Sequence, residues 1–136
     1  MSCSMRLLAC SLGLVVLPSV ALAQEAARGE TWWTEVTLEE STCDEVTVLP
    51  GPTVITRNGT DSVTITHANQ TYTGSLAIGG EFTTLPRDLV FGTTTYTIAI
   101  SGRMEGNDFT ATVSVGVREA GAGDCRYRVR WQGRKQ

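Results

Sequence analysis

The chain has 136 residues, 14 acids against 11 bases and a single histidine. That length suits one domain of ordinary size and is too short for two. The negative balance excludes a generic nucleic-acid binder, which would be strongly basic, and the lone histidine leaves little for a zinc site.

Met1 to Arg6 carries one positive charge and precedes a mostly apolar run from Leu7 to Val20, interrupted by Ser11, Gly13, Pro18 and Ser19. Ala21-Leu22-Ala23 then offers small residues at the two positions a signal peptidase reads. Residues 1–23 are therefore expected to be a cleaved signal peptide of bacterial type. The run is too short and broken for a membrane anchor, which prefers ~20 apolar residues. Most of the apolar stretch follows Cys10 instead of preceding it, so a lipoprotein box at Leu7-Leu8-Ala9-Cys10 would be misplaced. Export to the bacterial periplasm or the extracellular space follows, with no membrane span after cleavage. Removing 23 residues leaves 113, with ten bases against 14 acids, a net charge of about −4. Gln24 to Glu45 holds seven acids against Arg28 alone, whereas Arg118 to Gln136 holds six bases against Glu119 and Asp124. The two ends are expected to attract each other.

Residues 24–30 read as a flexible polar tail, and 31–136 as a single β-domain. Period two outperforms period 3.6 throughout. Trp32 and Trp33 open the first strand and must face opposite sides. Glu45 to Leu49 reads as a short strand broken by Pro50-Gly51-Pro52. Asn58-Gly59 is expected to form a type I′ hairpin between Thr53–Arg57 and the strand starting at Thr60. Val63 and Ile65, then Tyr72, Gly74, Leu76 and Ile78, form inward sets. Pro86 interrupts Phe82 to Phe91 and reduces it to a loop or edge strand. Tyr96, Ile98 and Ile100, then the odd positions Phe109 to Val117, continue the pattern. Gly102 to Asp108 reads as a long polar hairpin loop, and Gly121 to Asp124 as the last connection. The expected fold is all-β, an antiparallel up-and-down meander of seven or eight strands, closing as a small barrel in preference to a sandwich. So many large inward residues imply a filled core.

In the final strand, Cys125, Tyr127, Val129 and Trp131 take the inward parity, leaving Arg126, Arg128 and Arg130 in one outward row. Three guanidiniums at ~6.5–7 Å spacing suit carboxylate or phosphate, unless Glu35, Glu39 or Glu45 on a neighbouring strand pairs with them. With an outward Trp33, these arginines form the candidate binding surface, for a partner that is a protein or a small, anionic ligand. Thr64, Thr66, Thr71, Thr73, Thr93, Thr95, Thr97, Thr110 and Thr112 line the outer faces, as strand propensity alone would place them. Catalytic residues are expected to be none, since Ser62 and Ser75 lie in plain strands and a Gly-x-Ser-x-Gly elbow is absent. Metal ligands and cofactors are likewise expected to be none. Asn58-Gly59-Thr60 and Asn69-Gln70-Thr71 match the glycosylation acceptor pattern by chance in a Thr-rich chain.

The Trp32-Trp33 pair near the start and the Arg-rich strand at the end resemble the lipocalin and avidin group of ligand-binding barrels. Those families place a glycine two residues before the tryptophan, whereas Gly29 is three before Trp32. With no second motif, no family is assigned and no binding residue is carried over. The functional expectation is an exported, non-enzymatic binding domain, monomer or small homo-oligomer. A structural envelope component or a small hydrolase are the alternatives.

Cys3 and Cys10 leave with the signal, so Cys43 and Cys125 are the only thiols left to pair in an oxidising compartment. Their bridge would close 82 positions, and the chain-entropy model assigns such a loop ~4–5 kcal/mol. Mass measurement of exported material is expected to show a gain of two hydrogens on reduction, and reduction should lower the unfolding midpoint. Free thiols at both positions before reduction would refute the pairing.

Overall fold

The computed structural model describes residues 29–136; the expected signal peptide and most of the expected tail lie outside them. Among the described residues are nine strands: β1 Gly29–Ser41, β2 Gly51–Asn58, β3 Ser62–His67, β4 Gln70–Leu76, β5 Glu81–Thr84, β6 Arg87–Phe91, β7 Thr94–Glu105, β8 Asp108–Glu119 and β9 Gly123–Lys135. All pairings are antiparallel. The order β5-β4-β3-β2-β1-β9-β8-β7 is closed by β5 on β7, giving an eight-stranded barrel. The remaining strand, β6, follows β5 along the same edge of β7. Closure removes the two exposed edges that an open meander would leave.

The preferred barrel is the observed fold. Its seam brings the first strand against the last, from Trp32 opposite Lys135 to Ser41 opposite Tyr127. Cys43 and Cys125 form the expected disulfide just beyond that seam. Such a bridge is compatible with an oxidising compartment.

Alternation decides what fills the interior. Trp32, Ile55, Val63, Ile65, Tyr72, Phe82, Ile100, Phe109, Val113, Val129 and Trp131 are all buried in one core. Trp32 meets Phe109 edge-on at 5.4 Å between centroids, and Phe109 meets Phe82 at 6.4 Å. Two inward glycines make this trio possible. A Cβ at Gly133 would run into the Phe109 ring, and one at Gly102 into the Phe82 ring. Large and small residues thus alternate around the wall, as a narrow barrel requires.

Several local expectations are corrected. Glu45 to Leu49 is not a strand: β2 begins only at Gly51, so residues 45–50 cross without a strand partner. The segment still alternates because Val48 packs one-sidedly on the core. β1 starts at Gly29, inside the expected tail, because Gly29 and Glu30 pair with Thr56 and Ile55. Ile78 is not inward but fully exposed, since β4 ends at Leu76 and the chain turns through 77–80. Gly102 to Asp108 is not a long loop. β7 runs to Glu105 and turns in two residues, Gly106-Asn107, which keeps Met104 buried.

The Asn58-Gly59 hairpin is also different. Asn58 pairs with Ser62 across a three-residue loop in which only Gly59 has positive φ. Positive φ at both central residues occurs instead at Ala68 (51°) and Asn69 (64°), between His67 and Gln70. Alanine in this region suffers a Cβ clash worth roughly 1–2 kcal/mol, which glycine avoids. Replacing Ala68 with Gly is expected to raise unfolding stability by about 0.5–1 kcal/mol in urea titration. A loss of stability would mean that the Ala68 methyl group has a packing role that outweighs the strain.

Candidate functional site

The alternation of β9 turns Arg126, Arg128 and Arg130 outward, with β1 on one side and β8 on the other. Consecutive residues of a regular strand face opposite sides, so β1 would ordinarily offer one acid to this row. A bulge between Leu38 and Glu40 changes that. An extra residue in one strand re-aims its neighbours, and both Glu39 and Glu40 reach Arg128, at 3.4 and 2.8 Å. Glu39 also meets Arg130 at 3.0 Å.

Of the three acids expected opposite the row, only Glu39 is there, and Glu40 joins it. Glu35 lies opposite Gln132 and accepts a hydrogen bond from Trp33 Nε1 at 2.9 Å. Glu45 sits in the crossing segment with no ion pair among the described residues. The bulge has no simple sequence signal beyond the paired acids themselves.

Arg126 differs from its neighbours. Its backbone is clamped by Thr42, whose N–H and hydroxyl both bond the Arg126 carbonyl and whose hydroxyl oxygen accepts from the Arg126 N–H. Its guanidinium has no acid within 4.0 Å among the described residues. Arg126 and Arg128 border an open groove of about 610 Å³ on the outer face. Small residues form its floor, with Gly116 opposite Arg126, Ser114 opposite Arg128, and Thr97 and Ala99 on β7 beyond them. Pro86 bounds the far side and Thr42 the near side. Such a floor leaves an arginine fork free to meet an oxyanion side-on.

The tryptophan pair divides as parity requires. Trp32 is buried and its indole N–H finds no acceptor among the described residues, whereas Trp33 is 41% exposed on the outer face.

Inside the barrel, His67 stands near one end of the core. Its Nδ1 lies 2.8 Å from the hydroxyl of Thr53, which is 2.7 Å from that of Thr34. Its ring lies 4.4 Å from that of Trp131. Sequence parity placed His67 inward but did not reveal the two buried threonines that hold it. Ser62 and Ser75 oppose each other on the outer face of β3 and β4, separated from His67 by the wall itself. No group of three or more metal-ligating side chains occurs among the described residues. Nearby, Tyr72 and Tyr127 have phenols raised above their ordinary value, chiefly by burial. Arg87, stacked 5.9 Å over Tyr72, partly opposes this at Tyr72, and neighbouring tyrosines add to it at both.

No protein-family model matches the chain, and no curated protein matches it. Among solved structures it is similar to the monomer form of the M. tuberculosis PknI sensor domain, at 13% identity and a TM-score of 0.44. The match covers 77% of this chain and 86% of that one. At that level nothing about partner or chemistry passes from that domain to this one.

Burial holds the His67 pKa below its ordinary 6.5. The unfolded chain takes up this proton near that value while the folded chain resists it, so stability is expected to fall as pH drops below 6.5. Thermal unfolding across this range should show the loss, and His67→Gln, which can still accept from Thr53, should flatten it. An equally steep decline in the variant would assign the effect to other groups.

Proposed function

We propose that this chain is an exported, non-enzymatic binding domain whose partner presents a carboxylate or phosphate to the outer groove at Arg126. The observation that carries this reading is the asymmetry of the arginine row. Glu39 and Glu40 already hold Arg128 and Arg130, and within the row only Arg126 has no acid within 4.0 Å among the described residues; Glu40 also borders the groove, with its carboxylate committed to Arg128. An unpaired guanidinium over small side chains supplies strong donors at low steric cost. The partner is a protein segment or a small acid of either chemistry, and the filled interior favours a ligand held on the surface.

A second reading is a structural component of the cell envelope that associates with itself. β6 pairs with β7 alone, and its Val90 and Phe91 are 66% and 57% exposed. An uncovered edge of this kind can accept another strand.

Native mass spectrometry of residues 24 to 136, purified from the compartment where the host places them, tests both readings. Extra anionic mass or an acidic partner is expected, and Arg126→Ala should weaken its retention roughly ten- to hundredfold, the loss of one charge-assisted bond. Arg130→Ala, removing a guanidinium already held by Glu39, should have the smaller effect. Retention unaffected by Arg126→Ala would overturn the first reading. A clean dimer dissolved by Val90→Lys would establish the second.

A further inference from the structure

At the other end of β9, six outward side chains stand in two registered rows across three strands. Trp33, Arg134 and Asp108 lie opposite one another, and Glu35, Gln132 and Thr110 form the next row. With strands ~4.8 Å apart and same-face residues ~6.5–7 Å apart, the grid covers about 10 by 7 Å. It lines a groove of about 500 Å³, within the roughly 300–1,000 Å³ of small-molecule clefts.

Trp33 gives the grid its character. Its indole N–H is tied to Glu35 Oε1 at 2.9 Å, which satisfies the polar end of the ring along its own strand. Arg134, directly opposite, is the obvious cation to cover the ring, but it turns to Asp108 at 3.5 Å. Among the described residues no aromatic ring or guanidinium stacks on Trp33. An exposed aromatic face thus lies beside a carboxylate, a carboxamide, a hydroxyl and a guanidinium.

A ligand matching this set needs an apolar face for the indole and hydroxyls around its edge that both donate and accept. A hydrocarbon would strand the polar groups. An anion would meet Glu35 and Asp108, two negative charges against the single positive charge of Arg134. We infer that this grid binds a neutral saccharide, with Trp33 stacked on the apolar face of a pyranose ring and Glu35, Gln132 and Arg134 bonding its hydroxyls. Stacking supplies area at low entropic cost because an indole has few torsions to freeze. The site shares no residue with the Arg126 groove, so each can fail without the other.

The test follows the Trp33 indole N–H signal by NMR in the ¹⁵N-labelled chain. The probes are cellobiose, maltose, N,N′-diacetylchitobiose and, as a cationic rival for the same ring, tetramethylammonium. At least one disaccharide is expected to shift this signal and the Gln132 and Thr110 amides in a saturable way. Binding should weaken by about tenfold or more in Trp33→Ala, read at those amides, and much less in Trp33→Phe, which keeps a stacking face. Gln132→Ala should also weaken it, and Arg126→Ala should leave it unchanged. No shift with any of the three disaccharides, affinity unchanged in Trp33→Ala, or saturation by tetramethylammonium alone would overturn the inference.

Discussion

The closure of β5 on β7 is the contact on which the rest of the molecule depends. It consists of three residue pairs, Glu81 with Arg103, Phe82 with Gly102, and Thr83 with Ser101. Gly102 gives the Phe82 ring room, Gly80 accepts from the Met104 N–H, and the buried Thr84 hydroxyl oxygen accepts from the Ile100 N–H. Those bonds satisfy backbone groups at the point where the chain changes direction, which matters because a buried unpaired amide costs about 1–3 kcal/mol. Beyond Leu85 and Pro86 the same chain continues as β6 along β7, so one edge of β7 serves both the barrel and the strand outside it.

Closure also decides the surface. Bending the sheet brings the acidic first strand beside the basic last one, and the charge asymmetry of the sequence becomes a set of cross-strand pairs. The bulge near Leu38 then distributes those acids unevenly, two on Arg128, one of them shared with Arg130, and none on Arg126. Exposed pairs of this kind contribute little to stability, typically 0–1 kcal/mol each. Their larger effect is to determine which guanidinium is left available to a partner. At the opposite end, the pairing of Arg134 with Asp108 leaves Trp33 uncovered in the same way.

Much of this architecture was legible in the chain. Alternating residues along β3, β7, β8 and β9 identified the inward sets, because a strand with one side in a core cannot shift by one residue without exposing that core. The expectation that Cys3 and Cys10 leave with a signal peptide left Cys43 and Cys125 to pair, and those two residues form the bridge. Turn chemistry was read less well. Asn58-Gly59 resembles a two-residue turn with positive φ at both positions, yet that geometry occurs at Ala68-Asn69, where the pairing of His67 with Gln70 imposes positive φ on an alanine. Here the register of a buried pair of strands overrode local preference. The Val46 to Val48 alternation misled for a related reason: packing against a core produces period two whether or not a neighbouring strand supplies hydrogen bonds.

The candidate surface divides along the same line. Parity alone placed Arg126, Arg128, Arg130 and Trp33 outward, because side-chain direction in a strand is a local property. Which of these residues are neutralised was decided only in three dimensions. Glu40 joins Glu39 through a bulge, Glu35 is drawn to Trp33, and Thr53 meets His67 and Thr34 across strands, 14 and 19 residues away in sequence. The sequence by itself determined most of the strands and their faces, through a period that each short segment carries within it. Only the tertiary structure decided which charges meet and which aromatic face stays open, since those depend on inter-strand register and on where the barrel closes.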